Sequence, residues 1–178
     1  MSGAVMLDQV LVMQDLLGAD TVRRALESLP PPLRDEWEGL LPVSWISVAA
    51  TAAFIEAAAR EADRSVDDLQ REIARLGVER TLKTVWRILL RLTSDGALVK
   101  RTPMLYSKTY DRGQMSSRMT GPGQARIELE GWDGIPALEV LGLAVGIETV
   151  LRCAGRRDVA CEGQPRANGA SFVATWTP

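Results

Sequence analysis

Not one histidine occurs in this chain of 178 residues. Imidazole is the usual base near neutral pH and a frequent ligand of zinc and haem iron. Ser-His and Cys-His nucleophilic pairs, His-ligated zinc and His-ligated haem are therefore excluded by inspection. Carboxylate, lysine and tyrosine chemistry stays open. Tyr106 and Tyr110 stand one helical turn apart, and Asp67, Asp68 and Glu72 form a small acidic cluster that a helix start explains equally well. Cys153 and Cys161 can form a redox pair across a helix-to-strand joint, although free cysteine more often packs as a small hydrophobe. No GxGxxG run and no P-loop is present, so nothing recognisable cradles a nucleotide phosphate.

Four cations, Arg80, Lys83, Arg87 and Arg91, recur at three- and four-residue spacing, along one side of a helix over 79–92. Such a side suits an anionic partner, whether an acidic protein surface, a phosphate or a membrane face. A solvated face of an amphipathic helix accounts for the same pattern. The net charge of -2 argues against a dedicated nucleic-acid binder. Two cysteines are too few for a disulfide framework and point to a reducing, cytoplasmic setting. The N-terminus lacks a positive region and carries Asp8 and Asp15, which makes a poor signal peptide. No apolar run approaches the ~18 residues of a membrane span.

The elements that would hold these residues follow from periodicity. Residues 5–17 are apolar enough for a short helix or a strand, and their packing is left open. A helix is expected over 19–29. Pro30 to Pro32 break it and start a second one that Pro42 ends. The Ala-rich stretch 47–62 reads as a helix capped by Ser47. Ser65 with Asp68 resembles a capping box before the next helix, in which Gly77 is a break or a close-packing point. The 79–92 helix carries Leu82, Val85, Trp86 and Leu89 on one side, and a further helix over 94–110 kinks or starts near Pro103.

At residues 110–132 the apolar period changes from three or four to two. Met115, Ser117 and Met119 share one strand face, and Ala125, Ile127 and Leu129 share one face of the return strand. Gly121-Pro122-Gly123 supplies the turn. An apolar helix over 136–155 follows, with Gly142 and Gly146 one turn apart. Two strands close the chain, "DVACEG" and "ASFVATW", the latter with Ala170, Phe172, Ala174 and Trp176 on one face. A helical front half packed on a small antiparallel sheet from a β-β-α-β-β tail makes an α+β chain. Residues 1–18 are read as an N-terminal segment whose packing is open, and 19–178 as one domain.

With these residues, "ERTLKTVWRILLRL", "LYSKTYDRG", the hairpin, the Gly-containing helix and the aromatic last strand, residues 19–176 resemble a myxobacterial paralogous family of about this length. Through it the chain resembles the superfamily of 4-vinyl-reductase-type sensors, H-NOX-like domains and TRAPP subunits. The resemblance implies helices enclosing an apolar pocket over the sheet, a small apolar or acyl ligand or a protein partner, and a homodimer. Pocket candidates are Trp86, Leu89, Tyr106, Tyr110, Gly142, Gly146 and Phe172. The anion or partner surface is Arg80, Lys83, Arg87 and Arg91. Haem held through an axial histidine does not transfer. Neither does a zinc site in the last hairpin, where Cys161 is present but Ser171 stands in place of a second thiol. No catalytic residue, metal or cofactor is assigned.

The leading expectation is a non-enzymatic sensory or adaptor domain. A purely structural, dimeric interaction protein is the alternative, and a tetrapyrrole-related enzyme is the third reading.

Overall fold

Ser2 bridges to Trp45, and the terminal amine of Met1 donates to Ile46 O at 2.5 Å, so the chain start is tied down from its first residue. The computed structural model describes residues 1–82 and 84–177, and the side chains of 84–87 lie outside that description. The undecided N-terminal stretch is a helix, α1 (Gly3–Leu17), which buries Met6, Val12 and Met13. Next come α2 (Ala19–Glu27) and α3 (Pro31–Glu38), the latter with proline in its first turn, where the missing N–H costs nothing. α3 stops at Glu38, four residues before Pro42, because the chain turns at Gly39.

Ser47 caps α4 (Val48–Glu61) by accepting from Ala50 N at 3.1 Å. α4 carries Ala50, Ala57, Ala58 and Ala59 buried beside Phe54, and it packs on α2 and α3. Trp37 of α3 meets the Phe54 ring edge-on at 4.7 Å and donates to Ala50 O at 3.0 Å. α5 (Val66–Thr81) runs through Gly77 without a break.

Contacts group the chain into two compact units, Met1–Ile73 and Ala74–Pro178, with the division inside α5. The single helix expected over 79–92 is replaced by the end of α5 at Thr81 and by α6 (Thr84–Arg91). The stretch 94–110 likewise becomes two helices, α7 (Asp95–Val99) and α8 (Thr102–Thr109), the second with Pro103 in its first turn, where the ring is tolerated.

The second unit holds the sheet. Strands β1 (Gln114–Gly121), β2 (Gln124–Glu130), β3 (Arg157–Arg166) and β4 (Gly169–Thr177) form one antiparallel sheet in the order β1-β2-β4-β3. α9 (Ala137–Cys153) links the two hairpins. The first hairpin turns on Pro122 and Gly123, the latter at φ 66°, where glycine carries no steric penalty. Gly121 is the last residue of β1 and pairs with Gln124.

Register decides which face is buried. Met115 faces Leu129, Ser117 faces Ile127, and Ile127 in turn faces Phe172 on β4. Ile127, Leu129, Ala170, Phe172, Ala174 and Trp176 are all buried on this inner face. α9 lies over β3 and β4, while α7 and α8 lie over β1. At Gly163 of β3 a Cβ would stand 2.8 Å from Val140 of α9 and 2.9 Å from Phe172, so helix and sheet are in close contact there. The architecture is α+β, with the sheet formed wholly by the C-terminal part.

Candidate functional site

Tyr106 lies inside α8 and Tyr110 caps its C-terminus, which sets the two rings one turn apart on the buried side. They stack with centroids 4.9 Å apart and 16° between planes, and Trp132 leans on Tyr110 at 5.5 Å. Glu139, in the first turn of α9, is 2% exposed. Its carboxylate accepts the Tyr110 O–H at 2.9 Å, and the Tyr106 O–H goes to Arg112 O at 2.5 Å. Burial pushes the Glu139 carboxyl above its ordinary value, against the opposing pull of the Tyr110 hydrogen bond. Burial also raises both phenols, and the nearby Glu139 charge adds to that. The result is a hydrogen-bonded phenol–carboxyl pair set among aromatic rings.

Glu139 belongs to this cluster and was absent from the sequence expectation. The signal was present: Glu139 is the sole charged residue between Gly134 and Ile147 in an otherwise apolar stretch. A lone acid within such a run marks a buried, partnered group. What could not be read was its partner, 29 positions upstream.

The remaining expected pocket residues scatter. Phe172 is fully buried on the inner sheet face, against the position of Gly163. Gly142 and Gly146 are half-buried on α9, and a Cβ at Gly146 would meet only Val78, at an ordinary 3.9 Å. Leu89 is 50% exposed on α6, where Leu90 instead turns inward. The Trp86 side chain lies outside the described residues, as do Lys83 and the side chain of Arg87. Arg80 and Arg91 are exposed.

Both cysteines are free thiols and half-buried. Burial pushes the Cys161 thiol up to about 12, with Glu148 and Glu162 adding to the shift, so it is not a poised nucleophile. Cys161 pairs across the strands with Ala174, and Ser171 pairs with Gln164, so the two do not face each other. Among the described residues no group of three cysteine or carboxylate side chains converges as a metal site would need.

A second polar cluster ties the unit together. Arg156 donates to both Asp95 Oδ1, at 2.6 Å, and Thr93 O, at 2.6 Å. The Trp176 indole N–H donates to Asp95 Oδ2 at 2.9 Å. α7 is thereby anchored to the end of β4 and to the turn after α9.

Solved structures with this arrangement were found across the full chain. An oxygen-binding H-NOX domain related to soluble guanylate cyclases aligns at TM-score 0.70 and 12% identity, covering 100% of this chain and 96% of that one. An Fe(II) unliganded mutant H-NOX protein from K. algicida aligns at 0.71 and 9%, covering 100% and 97%. A Cs H-NOX mutant carrying 4-cyano-L-phenylalanine aligns at 0.71 and 11%, with the same coverage. The chain shares the H-NOX fold. No family profile matches it, and no curated protein matches it in sequence.

Other structures with the H-NOX fold are described by their haem, which raises whether these residues suit one. Haem iron takes an axial imidazole, thiolate, thioether or phenolate. This chain has no histidine, its two phenols are hydrogen-bonded and held protonated by burial, and the Cys161 thiol is held protonated too. With no histidine, the donor set does not fit a haem held through an axial imidazole.

Proposed function

We propose that this protein is a non-enzymatic sensory or adaptor domain that takes a small apolar molecule or an acyl chain. The observation that carries the reading is the buried Tyr110–Glu139 pair walled by Tyr106 and Trp132. A hydrogen-bonding point in an apolar, aromatic surround is how binding sites orient a largely apolar ligand. The shared H-NOX fold supports a sensor, and the missing axial ligand directs it away from haem. The finer kinship to the myxobacterial paralogous family, to 4-vinyl-reductase-type sensors and to TRAPP subunits belongs to this same reading, as do a cytoplasmic setting and a homodimer. Within it, Tyr110 and Glu139 meet the ligand's polar group, while Tyr106 and Trp132 contact its apolar body.

Native mass spectrometry of protein purified from its own host, with organic extraction of the bound fraction, tests the proposal. An apolar compound should co-purify with the wild type and be lost from Glu139→Leu, with that variant still folded by circular dichroism. If nothing co-purifies and no member of a lipid and aromatic library shifts the melting temperature, the pocket reading fails.

A further inference from the structure

The cations of this chain are unevenly satisfied. Arg23, Arg24, Arg34, Arg64, Arg75, Arg126, Arg152 and Arg156 each pair with a carboxylate. Between Ile88 and Arg118 lie six cations, Arg91, Lys100, Arg101, Lys108, Arg112 and Arg118, against two acids, a local balance of +4 in a chain of net charge -2. One of those acids, Asp95, is already engaged by Arg156 and Trp176. No ion pair is formed by Lys100, Arg101, Lys108 or Arg112 among the described residues, and all four are exposed.

The same segment exposes apolar side chains. Met104 is 50% and Leu105 39% exposed on α8. Arg101, Met104, Leu105 and Lys108 stand at helix spacing i, i+3, i+4 and i+7, which places them on one side. Tyr106, on the other side, is buried. α6 and the residue after it add Ile88, Leu89 and Leu92, at 55%, 50% and 81% exposure. The outward side of α8 thus reads cation, apolar, apolar, cation.

We propose that the α6–α8 segment docks on the surface of an anionic lipid bilayer. Short helices lying in the interface place apolar tips at the acyl boundary, while flanking lysine and arginine reach back to the phosphates. Unpaired cations supply the charge complement to an acidic leaflet. A nucleic acid would answer the charge and leave the leucines and Met104 against water. The inference stands on surface residues alone and is independent of the ligand site.

Co-sedimentation of the purified chain with vesicles tests it. Binding is expected to vesicles of phosphatidylcholine with phosphatidylserine, not to phosphatidylcholine alone, and to fall as salt rises. Arg101→Gln with Lys108→Gln should weaken partitioning about thirtyfold, since each cation near such a surface contributes roughly a factor of five. Met104→Ser with Leu105→Ser should weaken it as well. Lys100→Gln with Arg112→Gln, at positions flanking α8, gives a second charge pair should the first variant melt early. Equal binding to both vesicle types, no binding, or variants that bind like the wild type overturn the proposal. So does sedimentation of the chain without vesicles, or its capture by an acidic host protein while anionic vesicles stay bare.

Discussion

A carboxyl group at 2% exposure survives in an apolar interior because one phenol donates to it. That dependence gives Tyr110 a pH signature. Glu139 titrates in the folded state above its ordinary 4.5. Its contribution to stability is therefore complete below that value and is lost as pH rises through the folded one. The Tyr110 hydrogen bond opposes the upward shift, so removing it raises the folded value further and deepens the loss. Tyr110→Phe should cost about 1–3 kcal/mol at neutral pH and less in acid. Glu139→Gln, which cannot ionise, should flatten the pH dependence. Thermal melts of the three proteins from acid to neutral pH check this. A Tyr110→Phe penalty that stays constant across that range would rule out an ionising Glu139.

At the scale of elements, α9 has two different neighbours along its length. Near its start it touches β3 so closely that Gly163 leaves room for no side chain, with Val140 at 2.8 Å and Phe172 at 2.9 Å from a Cβ. Near its middle, Gly146 has ordinary clearance to Val78. The two glycines should therefore respond oppositely to alanine. Gly163→Ala should destabilise by ~1–3 kcal/mol through overpacking. Gly146→Ala should stabilise by about 0.5–1 kcal/mol, because glycine in a helix interior is entropically costly. Denaturant titrations with unchanged slope measure both, and a destabilised Gly146→Ala would mean that this part of α9 is packed as tightly as its start.

For the whole molecule, the same backbone course as haem-describing H-NOX structures is reached with no axial imidazole. Fold and iron ligand are separate requirements, since a backbone course is set by helix and sheet packing while iron needs a particular donor. Protein produced in cells supplied with excess haem should emerge without a sharp Soret band, and added haemin should bind only as a weak, hydrophobic adduct. A stoichiometric, six-coordinate haem spectrum would show a ligand that the side-chain geometry does not reveal. Among the described residues no helix is long and apolar enough to cross a membrane.

Local rules sufficed wherever a residue acts on its own neighbours. Ser47 capped α4 three residues on, Pro103 fell in the first turn of α8, and the alternation of Ala125, Ile127 and Leu129 marked a strand with one buried face. The β-β-α-β-β tail and the α+β class followed from those periods, and so did the absence of imidazole chemistry. Long-range partners did not follow, because side-chain type says that a buried acid needs a donor without saying which one. The Tyr110–Glu139 bond spans 29 residues and the Trp176–Asp95 bond spans 81. Only tertiary packing brought Trp132 against Tyr110 or turned Leu89 outward and Leu90 inward. An apolar period names the residues fit for burial, but which of them are covered depends on elements distant in the chain, whose positions are set by contacts that periodicity does not encode.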